Sequence, residues 1–158
     1  MPDLMHLLKI GAPRERVYEA LTTAEGIRNW WTRDADLDEA VGGKGEFRFP
    51  RYGGERYKTE VTIEELVPAE KVCWKVVSSF RPPWIGTKIT FDLRYEKEGS
   101  TTLAFAHCGF PNADDEYAMC TTGWGYYLVS LQQYLQTGKG APSPDVDFAR
   151  VIGRQAAN

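Results

Sequence analysis

The chain has 158 residues, of which 42% are hydrophobic and 13% aromatic, and its formal net charge at pH 7 is −3. This length predicts one domain with a substantial core. No basic stripe is present, which argues against a nucleic-acid partner, and no apolar run approaches the roughly 18 residues that a membrane span needs. The N-terminus does not resemble a signal peptide, and three widely spaced cysteines predict no disulfide framework. We therefore expect a cytoplasmic protein.

The N-terminal part of the chain predicts one strand and two short helices. Residues 4–10 alternate in polarity, which predicts a strand whose inward face carries His6. Pro13 suits the first turn of a helix, and apolar residues then recur at helical spacing. A second short helical turn follows, with Trp30 and Trp31 on its apolar side.

The middle of the chain predicts a sheet. Residues 34–45 are acidic and then glycine-rich, which predicts a loop that leads into the first strand of this region. From Lys44 to Phe110 apolar and charged residues alternate, and a hairpin turn is expected around Gly53 and Gly54. Together with the first strand this pattern predicts an antiparallel meander of about six strands, with one face covered and the other in water.

The segment 120–140 predicts the one long helix of the chain. We place this helix from about Thr122 to Thr137, with Thr121 or Thr122 as the N-terminal cap and Gly138 at the C-terminal end. Its apolar stripe consists of Trp124, Leu128, Leu131 and Leu135. We expect the sheet to curve around this stripe, because both surfaces need an apolar partner.

Several short residue groups occur in the order and spacing of a known family. They include Ala12-Pro13, Trp30-Trp31, Gly42-Gly43 before Phe47, Lys71-Val72 with Trp74, His107 with Gly109, and Gly123-Trp124. With these groups the chain resembles the bacterial homologues of the activator of the heat-shock-90 chaperone ATPase, within the SRPBCC or START-like superfamily. The resemblance spans residues 10–135 and implies an α+β helix-grip fold. In this fold a curved antiparallel sheet wraps around a long C-terminal helix, and two short helices follow the first strand.

The resemblance also implies a domain division and a binding site. We assign residues 1–140 to a single helix-grip domain and residues 141–158 to a C-terminal tail. We expect a cavity between sheet and helix that holds a small apolar, amphipathic or aromatic ligand. The candidate lining residues are Trp30, Trp31, Phe47, Phe49, Trp74, Phe91, Phe105, His107 and Trp124. The alternative is that these side chains simply pack as core.

The two histidines fall on the inward faces of the first and last strands. Because these strands are neighbours in the helix-grip order, we hypothesise that His6 and His107 approach each other near one mouth of the cavity. The alternative is a buried, hydrogen-bonded His107 and an exposed His6. Cys108 has the wrong parity to join His107 in a metal site, so we predict neither a metal nor a cofactor.

Three functions are compatible with this sequence. The first, which we expect, is a small-molecule-binding module without catalytic residues. The second is a cyclase or aromatase-like enzyme, a type that the wider superfamily contains, with His107 as the proton-transfer group. The third is a chaperone-regulating interaction protein, which the family name implies. We expect a monomer or a homodimer. Trp84 in the proline-containing loop 80–84 and the tail after Pro144 are candidates for a dimer contact, and the alternative is that they fold on their own domain.

Overall fold

The computed structural model describes residues 1–49 and 54–145. Within these residues the chain forms seven strands and three helices in the order that the helix-grip resemblance predicts. The elements are β1 (Leu4–Ile10), α1 (Arg14–Thr22), α2 (Ala24–Trp30), β2 (Asp34–Leu37), β3 (Lys44–Phe49), β4 (Gly54–Val67), β5 (Lys71–Ser79), β6 (Lys88–Lys97), β7 (Ser100–Cys108) and α3 (Asp115–Thr137). The tip of the predicted hairpin, at residues 50–53, and residues 146–158 lie outside the described residues.

The seven strands form one antiparallel sheet in the order β1-β7-β6-β5-β4-β3-β2. Strands β2 to β7 follow one another along the chain as a meander, whereas β1 pairs with the last strand, β7. The register shifts within the β3–β4 and β4–β5 pairs, and such irregularities bend a sheet. The predicted α+β helix-grip fold is therefore confirmed.

The seventh strand is a correction to the predicted loop at residues 34–45. Asp34 and Asp36 lie opposite Arg48 and Glu46 in the β2–β3 pair. The Arg48 guanidinium donates to Asp34 Oδ1 at 2.8 Å and to Asp36 Oδ2 at 2.6 Å. These cross-strand charge pairs favour a strand in an acidic segment whose local sequence resembles a loop.

The long helix α3 begins earlier than predicted. Its first residue is Asp115 rather than Thr122, and the Asp114 side chain caps it by accepting from a backbone N–H of the first turn. Thr121 and Thr122 lie inside the helix, where their hydroxyls donate to carbonyls one turn earlier. The C-terminal end is as predicted, with Gly138 in the left-handed conformation at a φ of 86°.

The core lies between the inward sheet face and the three helices. The inward rows of β4 to β7 alternate as predicted up to Leu93, which is buried. Tyr95, which the alternation predicted from Lys44 to Phe110 would place inward, is 64% exposed. The last four residues of β6 are all exposed, so the alternation ends at Leu93. The Arg14 guanidinium lies over the Tyr95 ring instead.

Residues 141–145, the first part of the predicted tail, lie on the domain. Ser143 forms a parallel bridge with Thr32, and its backbone bonds to both neighbours of that residue: its N–H donates to Trp31 O at 2.8 Å, and its carbonyl accepts from Arg33 N at 2.9 Å. The Asp145 carboxylate accepts from the Arg33 side chain. This segment therefore holds the backbone of Trp31 in place.

Candidate ligand-binding cleft

A cleft opens at one end of the interface between α3 and the sheet. Its walls come from the first half of α3, from β3 and β4, and from the segment that joins β5 to β6. The lining residues are Trp31, Phe49, Thr59, Phe80, Arg81, Trp84, Met119, Cys120, Gly123, Trp124 and Tyr127. The cleft has a volume of about 50 Å³. By the same measure one water needs ~10–15 Å³, so the space suits a compact group.

The nine predicted lining residues divide into two groups. Trp31, Phe49 and Trp124 line the cleft. The other six, none more than 1% exposed, pack in the interior: Trp30, Phe47, Trp74, Phe91, Phe105 and His107. Contact of these nine side chains with a ligand stays a prediction.

Trp31 joins the interior to the cleft. Its ring lies 4.6 Å from Phe47 and stacks on Trp74 at 6.2 Å with an interplanar angle of 4°. On the cleft side its ring centroid is 5.0 Å from Trp124 and 5.8 Å from Phe49. A shift of Trp31 would therefore move both the packed rings and the cleft wall.

Sequence reasoning missed the wall formed by the segment between β5 and β6. Phe80, Arg81 and Trp84 lie where the strand alternation stops, so no period indicated the direction of their side chains. Trp84, suggested as a dimer contact, is only 7% exposed and faces the cleft. The one available signal was the density of aromatic residues around the two prolines.

A buried chain of hydrogen bonds begins at His107. The Trp124 indole N–H donates to His107 Nδ1 at 3.0 Å, and the distance from His107 Nε2 to Thr87 Oγ1 is 2.8 Å. An indole nitrogen can only donate, so Nδ1 must be unprotonated and the neutral ring carries its proton on Nε2. Burial lowers the pKa of His107 to about 3, which keeps the ring neutral at pH 7.

The same chain continues to the cleft wall. The Thr87 hydroxyl donates to Trp84 O, and the Trp84 indole N–H donates to Cys120 Sγ at 3.0 Å. The rings of Trp84 and Trp124 stack at 6.0 Å. Since Cys120 and Trp124 are one turn apart on α3, these bonds link the β5–β6 segment to the helix.

This geometry contradicts a proton-transfer role for His107. Both ring nitrogens are bonded inside the protein, and the residue is fully buried. The ring cannot present a proton or a lone pair to a ligand in the cleft without breaking the bond to Thr87 or Trp124. His107 is a structural residue that orients the cleft tryptophans.

The two histidines do not make the hypothesised contact. Strands β1 and β7 are antiparallel neighbours as expected, but the register places Leu4 opposite His107 and His6 opposite Phe105. The His6 ring contacts Phe105, with centroids 6.1 Å apart, and neither imidazole hydrogen-bonds to the other. Burial lowers the pKa of His6, and a backbone hydrogen bond with Thr121 partly offsets this.

Arg81 is the one charged side chain among the described lining residues. Its Nη1 donates to Glu116 Oε1 at 2.7 Å, and the two side chains are only 11% and 19% exposed. The guanidinium carbon lies 5.1 Å from the centroid of the Phe80 ring. Aromatic stacking and an ion pair therefore hold one polar anchor at the edge of an apolar cleft.

The part of the chain that the structure describes meets neither the requirements of a metal site nor those of a membrane-spanning helix. No group of three or more histidine, cysteine or acidic side chains is placed to hold a metal ion there. Cys73, Cys108 and Cys120 are free thiols, and burial raises the pKa of Cys73 and Cys108. Among the described helices, none has the length and apolar character needed to cross a membrane.

The fold and the cleft define a helix-grip protein, and the sequence comparison names its family. The family described as "Activator of Hsp90 ATPase homolog 1-like protein" matches residues 11–136. This match spans more than half of the chain, so the chain belongs to that family. A search of curated proteins returned no match.

Solved structures support the same assignment. The chain is similar to a protein described as the Aha1 dimer from Colwellia psychrerythraea, with 34% identity and a TM-score of 0.78, over 89% of this chain and all of the other. It shares its fold with SSP2350 from Staphylococcus saprophyticus, with 21% identity and a TM-score of 0.72 over 88% and 95% of the chains. It also shares its fold with MLL2253 from Mesorhizobium loti, with 23% identity and a TM-score of 0.73 over 85% and 96%.

Proposed function

We propose that this protein is a small-molecule-binding module whose cleft takes a compact apolar or aromatic ligand. The observation that carries the proposal is the lining, in which six aromatic side chains and a methionine surround a space with one charged anchor. These side chains are Trp31, Phe49, Phe80, Trp84, Trp124 and Tyr127. Apolar walls with few polar groups are the usual composition of small-molecule sites.

The size and polarity of the cleft narrow the ligand class. A volume of about 50 Å³ favours a small group, such as a single ring, over a long chain. Arg81 donates to Glu116 through Nη1 only, so its Nε–H and Nη2–H edge has no partner among the described residues. That edge suits an oxygen acceptor, such as a carbonyl or carboxyl group on the ring.

The experiment combines native mass spectrometry with ligand-observed NMR. The purified protein is first examined for a co-purifying small molecule, and indole, 2-naphthol and benzoate are then titrated as probes. Met119→Trp fills the cleft and should weaken probe binding by about tenfold or more, which corresponds to ~1.4 kcal/mol. Val129→Trp is the matched control, because Val129 is 47% exposed on the same helix outside the cleft lining.

The outcomes separate clearly. Probe binding that Met119→Trp reduces and Val129→Trp leaves unchanged supports the proposal. No co-purifying molecule and no binding of any ring probe to the wild-type protein would overturn it, and equal binding by both variants would remove the site from this cleft. If no probe binds the wild-type protein, a chaperone-regulating role, which the family description names, becomes the leading alternative.

We also propose a homodimer in the cytoplasm. The support for the dimer is the Colwellia psychrerythraea relative, 34% identical, which is described as a dimer. The support for the cytoplasm is that Cys73, Cys108 and Cys120 are all free thiols, as expected in a reducing compartment.

A further inference from the structure

Strand β1 presents an open sheet edge. It is the terminal strand, and its neighbour is β7. The carbonyl of Pro2 accepts from Phe110 N just beyond the β1–β7 pairs, so even-numbered residues direct their backbone groups toward β7. The backbone groups of the odd-numbered residues therefore point away from the sheet, and such an edge is a template for another strand.

Helix α3 covers the two ends of this edge but not its middle. The Tyr117 hydroxyl donates to Asp3 O at 2.9 Å, and Gln132 Nε2 donates to Lys9 O at 2.6 Å. Between these points, Met5 and Leu7 have no outward backbone partner in the described part of the chain. The open part of the edge therefore consists of the outward backbone groups of Met5 and Leu7.

The side chains of this edge are apolar in the middle and charged at both ends. Met5 is 75% exposed and Leu7 is 67% exposed. Their neighbours on β7, Ala106 and Ala104, are small, so the two long apolar side chains stand free of the sheet. Asp3 precedes them and Lys9 follows them at the same two-residue spacing. The order along one face is thus acid, apolar, apolar, base.

We propose that the β1 strands of two copies of this chain pair antiparallel, with His6 at the two-fold axis. In this register the open backbone groups of Met5 pair with those of Leu7 of the second copy. Asp3 lies opposite Lys9 of the second copy, where only the side chains meet because α3 already holds both carbonyls. A two-fold interface must be self-complementary, and this order of side chains meets that condition. A parallel pair would instead place Lys9 beside Lys9. The inference rests on the homodimer proposed above and adds its surface and register.

The opposite edge of the sheet lacks this complementarity. Strand β2 has only four residues, and the two acidic side chains that alternate along it, Asp34 and Asp36, already bind Arg48. Two copies of this strand would bring carboxylates together in most registers. Short, charged edges resist pairing, so the second copy is expected at β1.

The first test is the oligomeric state by light scattering and sedimentation over a range of protein concentrations. Wild-type protein should be dimeric, and Leu7→Lys should weaken the dimer by about tenfold or more, because it places two lysines in the apolar centre. Val77→Lys is the matched control, since Val77 is also an exposed apolar residue on a strand, at 50% exposure, but lies on β5.

A charge exchange tests the register. Asp3→Lys and Lys9→Asp should each weaken the dimer, and the double variant should restore it. In the monomer Lys9 pairs with Glu96 and Asp3 accepts from Gly109 N, and the double variant loses both contacts. Restoration of the dimer can therefore come only from the exchanged pair across the interface.

Cysteine cross-linking supplies an independent check. Met5→Cys with Leu7→Cys places two thiols opposite each other at a Cα separation of ~5.5 Å, within disulfide range, whereas Met5→Cys alone does not. A dimer that Leu7→Lys leaves intact, or that cross-links equally in both variants, would overturn the β1 interface while the proposed dimer stands. A monomeric wild-type protein at all concentrations would overturn both proposals.

Discussion

The interior and the cleft of this protein are both built from aromatic side chains, but only the cleft leaves space between them. In the interior, the rings of Trp74 and Phe91 lie 5.2 Å apart, and Phe91 lies 5.2 Å from Phe105, each pair edge to face. In the cleft, Phe49 and Phe80 lie 5.7 Å apart, and Phe80 is half-buried. Aromatic content alone therefore does not make a pocket. The space opens where β5 ends and its regular side-chain rows stop.

The largest expected effect is a difference in the free energy of unfolding between one variant in the interior and a matched variant in the cleft. Phe91→Ala should lower the free energy of unfolding by about 3–5 kcal/mol, because the fully buried ring leaves a cavity. Phe80→Ala removes the same atoms from a half-buried position and should cost about 1 kcal/mol. Urea unfolding followed by circular dichroism measures both, and equal losses would contradict the distinction between the two regions.

A second prediction uses pH to test the interior. The folded pKa of His107 is about 3, below the 6.5 of an unperturbed histidine, so the unfolded chain binds the proton more readily. Stability is then full above pH 6.5 and falls as the pH drops from 6.5 toward 3, by about 2 kcal/mol between pH 7 and pH 5. Urea unfolding at a series of pH values measures this loss.

Two histidine variants test which imidazole causes the loss of stability between pH 7 and pH 5. His107→Gln should remove most of the pH dependence between pH 7 and pH 5. His6→Gln should remove a smaller part, because His6 is half-buried and its pKa is also lowered by burial. A pH dependence that survives in His107→Gln would mean that this imidazole is not the buried neutral group described here.

The smallest predicted effect concerns the link between the two regions. Thr87→Val removes the hydroxyl that connects His107 to Trp84 and should cost about 1–2 kcal/mol, since buried polar groups lose their partner. It should also weaken probe binding in the cleft, because the Trp84 wall is no longer held. Thr87→Ser keeps the hydroxyl and should behave nearly like the wild type. Loss of stability without any change in binding would show that the chain of bonds does not position the cleft.

The periodic parts of the fold could be predicted from the sequence. Side-chain alternation in β4 to β7 and the apolar stripe of α3 depend on local spacing, which is visible without a structure. The start of α3 was missed because residues 115–121 carry little of that stripe. Their helix is supported by distant contacts, such as the Tyr117 hydroxyl on Asp3 O and the Tyr117 ring on Phe110.

The candidate site was only partly predictable. Trp31, Phe49 and Trp124 are aromatic and belong to predicted elements, which is why the sequence suggests them; the structure places them at the cleft, and their contact with a ligand stays a prediction. Arg81 and Trp84 were not named as lining residues because their segment has no period from which a direction can be inferred. Phe91 and Phe105, also predicted to contact the ligand, are buried in the interior, and their contact with a ligand stays a prediction.

By itself the sequence determined the antiparallel sheet, the long C-terminal helix and the family, because residue order and spacing carry all three. Only the tertiary structure decided which aromatic rings fill the core and which surround the cleft. It also decided that His107 is a neutral structural residue. The physical reason is that burial and hydrogen-bond partners depend on residues far apart in the chain, such as Thr87, His107 and Trp124. A local sequence pattern cannot show that such residues are in contact.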